Sequence, residues 1–278
     1  VPHAACSCPR CARALRDPDF VRRAASLAVL AGDGKPWLID ASPDLPRQLA
    51  SVARPTGGQV DRVPLAGIFL THAHIGHYLG LAYLGFEVAH TRAVPVFATP
   101  GMCAFLRSNG PWDQLVRLGN VELRPTEPET AVELPGGVRV TAVRVPHRDE
   151  YADTVAYRIE GPGATVLYVP DTDGWDAWAP SLETRLEGVD VALLDATFHS
   201  LDELPGRAIE DVKHPLMTAT MDRLQARVDD GLRVVFTHLN HTNPAVDPDS
   251  EAARGVRARG FEIARDGDRI SLSRAVSR

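Results

Sequence analysis

The sequence predicts a mixed α/β protein of the αββα-sandwich type, and three observations lead there. Short apolar runs of strand length alternate with a few helical stretches across all 278 residues,. No low-complexity linker and no internal repeat interrupts them, so residues 1–278 are expected to form a single domain. Several of the expected strands run directly into a histidine or an aspartate, and loops at strand ends are where a rigid scaffold carries functional groups.

Taken in order, the stretch up to about Asp19 reads as a loop that carries cysteines. Residues 26–30 and 37–40 read as strands joined by Gly32-Asp33-Gly34, a hairpin signal,. A short helix is expected over 43–52. The apolar run 65–70 has the length of a buried strand and ends on Thr71-His72. A helix is expected over 78–87, a strand over 94–98 and a helix over 101–108. Strands then follow at 121–123, 138–145, 154–160, 165–169 and 189–195, punctuated by Gly and Pro,. A helix over 219–229 precedes a strand at 233–237 that ends on His238, and 261–264 with 269–272 suggest a closing hairpin.

A formal net charge of −6, with acidic and basic residues dispersed, lacks the basic footprint of a nucleic-acid or anionic-membrane binder,. No apolar run approaches the roughly 18 residues of a membrane span. The expected partner is therefore a small-molecule substrate, with no nucleic acid and no membrane, and a homodimer is the candidate assembly. The chain opens on Val1-Pro2-His3 without Met. The expected compartment is cytoplasmic, with a periplasmic or secreted protein left open because a leader would have been removed.

His72-Ala73-His74-Ile75-Gly76-His77 carries the chemistry. After an apolar strand, alternation points His72 and His74 to one side, where two imidazoles can share a metal with a third ligand. His77, at the start of the next expected helix, can face a second metal. The bland alternative is a polar loop that happens to hold three of the ten histidines. Cys6, Cys8 and Cys11 are too closely spaced for good disulfides. They supply three thiolates, one short of a closed tetrahedral zinc site, within an N-terminal zinc-binding loop at about 3–20. His241, three residues after His238, is the candidate fourth ligand. Cys103 falls in a helical pattern and reads as core. Of the remaining histidines, His214 is the candidate active-site contact, while His3, His90 and His199 read as surface or core. No G-x-S-x-G elbow, P-loop or dinucleotide fingerprint is present.

The histidine cluster resembles the signature of the metallo-β-lactamase superfamily, H-x-H-x-D-H after a strand. The resemblance implies further ligands in the expected order: His147 for the first metal with His72 and His74, and Asp171 as a bridge. It also implies His238 for the second metal with His77, and Asp40 as the strand aspartate that orients the histidine loop. The catalytic group is then Asp171, His238 and Asp40. One departure is Gly76, which stands where the superfamily has an aspartate ligand of the second metal. The Cys-x-Cys-x-x-Cys segment with His241 resembles the phosphoribosyl cyclic phosphodiesterases of this fold. The similarity that covers most of the chain is to the coenzyme PQQ biosynthesis protein B family. It rests on 6–11 (Cys-Ser-Cys-Pro-Arg-Cys), 40–44 (Asp-Ala-Ser-Pro-Asp), 194–198 (Leu-Asp-Ala-Thr-Phe) and 237–244 (Thr-His-Leu-Asn-His-Thr-Asn-Pro). That family resembles a variant with acidic residues at the first two metal histidines, whereas His72 and His74 are present here. It also begins with a strand and a glycine-rich turn ahead of the cysteines.

The resemblance implies a Zn2+-dependent hydrolase, with a phosphodiester as the leading substrate class. Zn2+ is expected at the cysteines and at the first histidine set, with Fe2+ or Mn2+ as alternatives in the active site. The alternatives are an iron-dependent oxygenase in the synthesis of a PQQ-like cofactor and a non-catalytic metal-binding protein.

Overall fold

The computed structural model of the chain describes residues 1–32, 34–52, 61–204, 206 and 212–273. Along the chain run α1 (Pro9–Ala14), β1 (Leu27–Leu30), β2 (Pro36–Ile39), α2 (Leu45–Val52), β3 (Gly67–Phe69) and α3 (Ile75–Tyr78). They are followed by β4 (Val94–Ala98), α4 (Pro100–Ser108), α5 (Trp112–Arg117), β5 (Val121–Pro125), β6 (Ala131–Leu134) and β7 (Val138–Arg144). The last group is β8 (Val155–Glu160), β9 (Thr165–Val169), α6 (Leu182–Arg185), β10 (Val191–Asp195), α7 (Met217–Asp229), β11 (Arg233–Thr237), α8 (Glu251–Ala258) and β12 (Glu262–Ile263). The strands fall into two sheets, so the mixed α/β class holds. Among the described residues no helix is long and apolar enough to cross a membrane.

Two compact units emerge: unit 1 is Val1–Arg23, Val145–His147 and Arg158–Arg278, and unit 2 is Ala24–Arg144 and Arg148–Tyr157. In unit 2 a five-stranded sheet runs in the order β1-β2-β3-β4-β5. β1 and β2 pair antiparallel as the expected hairpin, Leu30 opposite Pro36, although Asp33 of its turn lies outside the described residues. The three later pairings are parallel. Strands this buried read as continuous apolar runs. Their core includes Leu38, Leu45, Ile68, Leu70, Leu81 and Leu84, each at most 2% exposed, and burying each such side chain contributes roughly 1.5–3 kcal/mol. β6 and β7 form an antiparallel hairpin.

In unit 1, β9, β10, β11 and β12 lie side by side and parallel. The register places Asp195 opposite Thr237. Two neighbouring parallel strands therefore deliver Asp195 and His238 to the same, C-terminal end of the sheet.

Several expectations need correction. The cysteine segment is not a plain loop, because Pro9 opens α1 at its first turn, where a missing N–H costs nothing,. The helix expected over 78–87 is only α3 followed by 3-10 turns over Leu79–Leu84. Gly80 sits so close to the chain at 41–42 that a Cβ would fall 2.1 Å from the Ser42 carbonyl oxygen, and that close approach takes the place of regular helix. The run 65–70 yields a strand of only Gly67–Phe69. No strand forms at 269–272. There, Leu272 accepts one backbone hydrogen bond from Gly163 instead of a ladder.

Candidate metal centres

In unit 2 the histidine loop hangs from one carboxylate. Asp40 follows β2 and is fully buried, in a left-handed conformation at φ 67°. A non-glycine residue there costs about 1–3 kcal/mol and persists only when its surroundings over-determine it. The surroundings do so. Its N–H donates to the Phe69 carbonyl at 2.8 Å. Its Oδ1 accepts from the Thr71 N–H at 2.8 Å and the Thr71 hydroxyl at 2.9 Å, and its Oδ2 lies 2.7 Å from His77 Nδ1.

The Thr71 hydroxyl also lies 2.9 Å from His72 Nδ1. With its proton directed to Asp40, it accepts from His72 Nδ1–H, which leaves His72 Nε2 with a lone pair. Glu150 Oε2 sits 3.1 Å from His74 Nε2 and favours the proton there, so His74 Nδ1 carries a lone pair as well,. Those two nitrogens, His72 Nε2 and His74 Nδ1, face each other at 2.9 Å. Two lone pairs aimed at one point suit a shared cation, whose ligand atoms sit about 3 Å apart when each is about 2.0–2.1 Å from the metal. The donor set fits a transition metal. Gly76 has nothing within 4 Å of where a Cβ would stand, so crowding does not exclude an aspartate there.

In unit 1, β9 ends one residue before Pro170-Asp171. The Thr172 hydroxyl and the Asp173 N–H both donate to the Pro146 carbonyl, at 2.9 and 2.7 Å, and fix the segment that bears His147. The His147 ring is fully buried. Its Nδ1 lies 2.9 Å from Asp173 Oδ1 and its Nε2 3.3 Å from Asp171 Oδ2. Asp195 is also fully buried. Its Oδ1 accepts from the Thr197 N–H at 2.8 Å and hydroxyl at 2.7 Å, and its Oδ2 lies 2.9 Å from His214 Nδ1. The Thr197 hydroxyl reaches His238 Nδ1 at 2.9 Å, and His238 takes a left-handed φ of 60°. Burial alone would lower the His214 pKa. The nearby charges of Asp195 and Asp171 outweigh it and raise the value to about 10,.

The cysteine set also lies in unit 1. Cys6, Cys8 and Cys11 Sγ stand 3.5, 3.8 and 3.7 Å from His241 Nδ1. A tetrahedral zinc with Zn–S near 2.3 Å and Zn–N near 2.0–2.1 Å has S–N edges of about 3.6 Å, so these four donors match a closed structural site. The hydrogen bond with His241 lowers the Cys8 pKa to about 6, while burial raises that of Cys11,. Arg10 donates to the His241 and Thr242 carbonyls at 2.8 and 2.7 Å and ties the N-terminal segment to the loop after His238. His3 packs its ring 4.5 Å from that of His241. Cys103 is buried in α4 as expected, with burial raising its pKa to about 11.

Each expected site residue is thus placed within its unit: Asp40, His72, His74 and His77 together in unit 2, and in unit 1 His147, Asp171 and His238 beside His214, with the cysteines on His241. The sequence reading gave no site role to Thr71, Asp173, Glu150, Asp195 or Thr197. Asp195 and Thr197 stood in plain view in the 194–198 segment. Their signal was an aspartate ending an apolar strand, the same signal that marked Asp40.

The model of the beta-lactamase superfamily domain matches residues 37–239, well over half of the chain. The chain belongs to the metallo-β-lactamase superfamily. Within it, the chain is close to coenzyme PQQ synthesis protein B. It is 29% identical to the protein of that name from Methylobacterium sp. (strain 4-46), over 98% of this chain and 96% of the relative. A crystal structure of Zn(2+)-bound PqqB from Methylobacterium extorquens superposes with a TM-score of 0.80 at 26% identity, covering 98% of this chain and 96% of that one. A diphosphatase from the PhnP family superposes with a TM-score of 0.68 at 25% identity, covering 96% and 90%. Members of this fold are mostly metal-dependent hydrolases, and the donor sets described above support a metal cofactor.

Proposed function

We propose that the chain is a zinc-dependent hydrolase of the metallo-β-lactamase superfamily acting on a small phosphodiester. The observation that carries this reading is the pair of ring nitrogens on His72 and His74, aimed at one point and locked there by Asp40, Thr71 and Glu150. The ligand set proposed is the one expected from the order of motifs: His72, His74 and His147 for the first metal, His77, Asp171 and His238 for the second, and zinc also on Cys6, Cys8, Cys11 and His241. Zinc, when bound, lowers the pKa of a coordinated water to about 7 and supplies hydroxide at neutral pH. The residues set the geometry: Asp40 and Asp173 fix the tautomers of His77 and His147, and Asp171 offers a carboxylate to orient the attacking water. In hydrolysis the water oxygen bonds to phosphorus, the P–O bond to the leaving alcohol breaks, and that oxygen takes up a proton.

The substrate class is supported by the likeness to a PhnP-family diphosphatase. The test is turnover of bis(p-nitrophenyl) phosphate by metal-depleted protein with and without added Zn2+. Activity that returns with zinc and is absent in His72→Ala supports the reading, and turnover by metal-free protein would sink it.

A second reading places the chain in the synthesis of a PQQ-like cofactor, as an iron-dependent oxygenase. The full-length similarity to coenzyme PQQ synthesis protein B supports it. Iron in the purified protein together with oxygen consumption would favour this reading over hydrolysis.

A further inference from the structure

Apart from the metal-ligand sets, unit 1 carries a cavity of about 280 Å³ on which Arg22, Arg257 and Arg265 converge. Arg22 comes from the N-terminal segment and is half-buried. Its Nε and Nη1 donate to the Val246 and Ala264 carbonyls at 3.2 and 2.6 Å, so the backbone fixes the guanidinium. Arg257 stands in the last turn of α8, and its Nη2 donates to the Pro248 carbonyl at 2.6 Å. Arg265 follows β12 in a turn closed from both ends. Its N–H donates to Asp268 Oδ2 at 2.8 Å, and the Asp268 N–H donates to the Arg265 carbonyl at 3.1 Å. Gly267 supplies the left-handed φ of 91° inside that turn,.

Among the described residues, none of these three guanidiniums forms an ion pair with a carboxylate. The two acids that reach the cavity are engaged elsewhere. Glu262 binds Arg233 with both oxygens, at 2.9 and 3.0 Å, and Asp268 Oδ2 closes the turn. Even with Arg233 included, four guanidiniums face two carboxylates, so positive charge is left over. Burial first, and then the charge of Arg265, push the Arg22 pKa down, while Asp266 and Asp268 act the other way,. Like charges gathered in a recess repel one another unless an anion joins them.

We propose that this cavity binds the phosphate group of a small anionic ligand, at a site separate from the metal centres. Planar guanidiniums match the edges of a phosphate with paired N–H donors. The donors left for it are Arg22 Nη2, beside two engaged nitrogens, and the whole Arg265 guanidinium, which bonds no side chain among the described residues. A purely structural Arg22, tying two loops together, accounts for Nε and Nη1. It does not account for two further arginines, rather than acids, gathering on it. Size narrows the class, because pockets for drug-sized ligands run to about 300–1,000 Å³. A cavity of about 280 Å³ suits phosphate carrying at most a short organic group. None of its residues is a proposed metal ligand, so the inference stands independently of the hydrolase reading.

The experiment titrates the full chain calorimetrically with inorganic phosphate and, separately, with glycerol 1-phosphate, at an ionic strength held constant with KCl. Saturable binding is expected. Arg265→Gln, at an exposed position that leaves the fold intact, should weaken it by about tenfold or more,. Arg257→Gln should weaken it less, since one of its nitrogens is already held by Pro248. His72→Ala should leave this binding unchanged. Tighter binding of glycerol 1-phosphate would support a phosphorylated small molecule as the ligand, and tighter binding of inorganic phosphate would support free phosphate. No binding above the KCl background, or equal affinity in wild type and the Arg257→Gln/Arg265→Gln double variant, would overturn the proposal. Binding lost in His72→Ala but kept in the arginine variants would place the anion on the histidine site and overturn it as well.

Discussion

Asp40 in unit 2 and Asp195 in unit 1 build one device from different stretches of chain. Each is a fully buried aspartate at the end of a strand, each binds the N–H and hydroxyl of one threonine, and each holds the Nδ1 of a histidine while the threonine hydroxyl meets a second. They differ in sequence reach and in exposure. Asp40 serves a loop in which Thr71, His72 and His77 are near neighbours, whereas Asp195 gathers His214 and His238 from well down the chain. The His77 side chain is 4% exposed, against 14% for His214 and 23% for His238. Strain also sits differently, on the aspartate in unit 2 and on His238 in unit 1. The buried frame is a preset support, and its removal costs stability first. The more open frame presents its rings to solvent, and on the metal-dependent reading proposed above its removal is expected to cost metal binding first.

The largest expected effect breaks the buried frame. Asp40→Ala leaves the Thr71 N–H and hydroxyl and the His77 ring without their carboxylate, and should destabilise the fold by about 3–5 kcal/mol,. Urea unfolding measures it, and a loss below about 1 kcal/mol would mean that Asp40 is not the support described. Next, Cys11→Ser should lower the melting temperature, and a chelator should then lower that of the variant by less than it lowers that of the wild type, because the thiolate set is already broken,. A chelator that depresses the variant as strongly as the wild type would show that the thiolate set does not hold a stabilising metal.

Thr71→Val and Thr197→Val test the two frames with one atom each. Each should cost about 1–3 kcal/mol for the carboxylate oxygen left unsatisfied. The variant in the buried loop should lose more stability, and the Thr197 variant should lose more metal affinity. Equal effects in both assays would erase the distinction.

The smallest effect is a control away from either frame. The Arg223 guanidinium lowers the Glu183 pKa to about 2, from an ordinary 4.5. A carboxylate lowered on folding contributes stability above about pH 4.5 and loses it as pH falls toward 2. Glu183 is 44% exposed, so Glu183→Gln should cost less than about 1 kcal/mol at pH 7. That cost should shrink below pH 4.5 in acid titration of stability.

Much of this was legible in the sequence where chemistry and strand pattern coincide. His72, His147, Asp171 and His238 each sit one to three residues beyond a strand, because the apolar run that forms a strand is easy to see and its end is where polar groups emerge. His214 was harder to read. It follows no apolar run, precedes Pro215, and acquires meaning only when Asp195 and Asp171 are brought to it. Glu150 is an exposed acid among other charges until His74 is found 3.1 Å away. The helix over 78–87 was overestimated because apolar spacing does not reveal that Gly80 must pass a backbone carbonyl.

The most direct test of the central account is the number of metals per chain, measured with phosphodiester turnover in wild type and His72→Ala/His74→Ala. The account predicts that the double variant keeps the thiolate-bound metal, loses one histidine-bound metal and loses turnover. A double variant that retains every metal and full activity would contradict it.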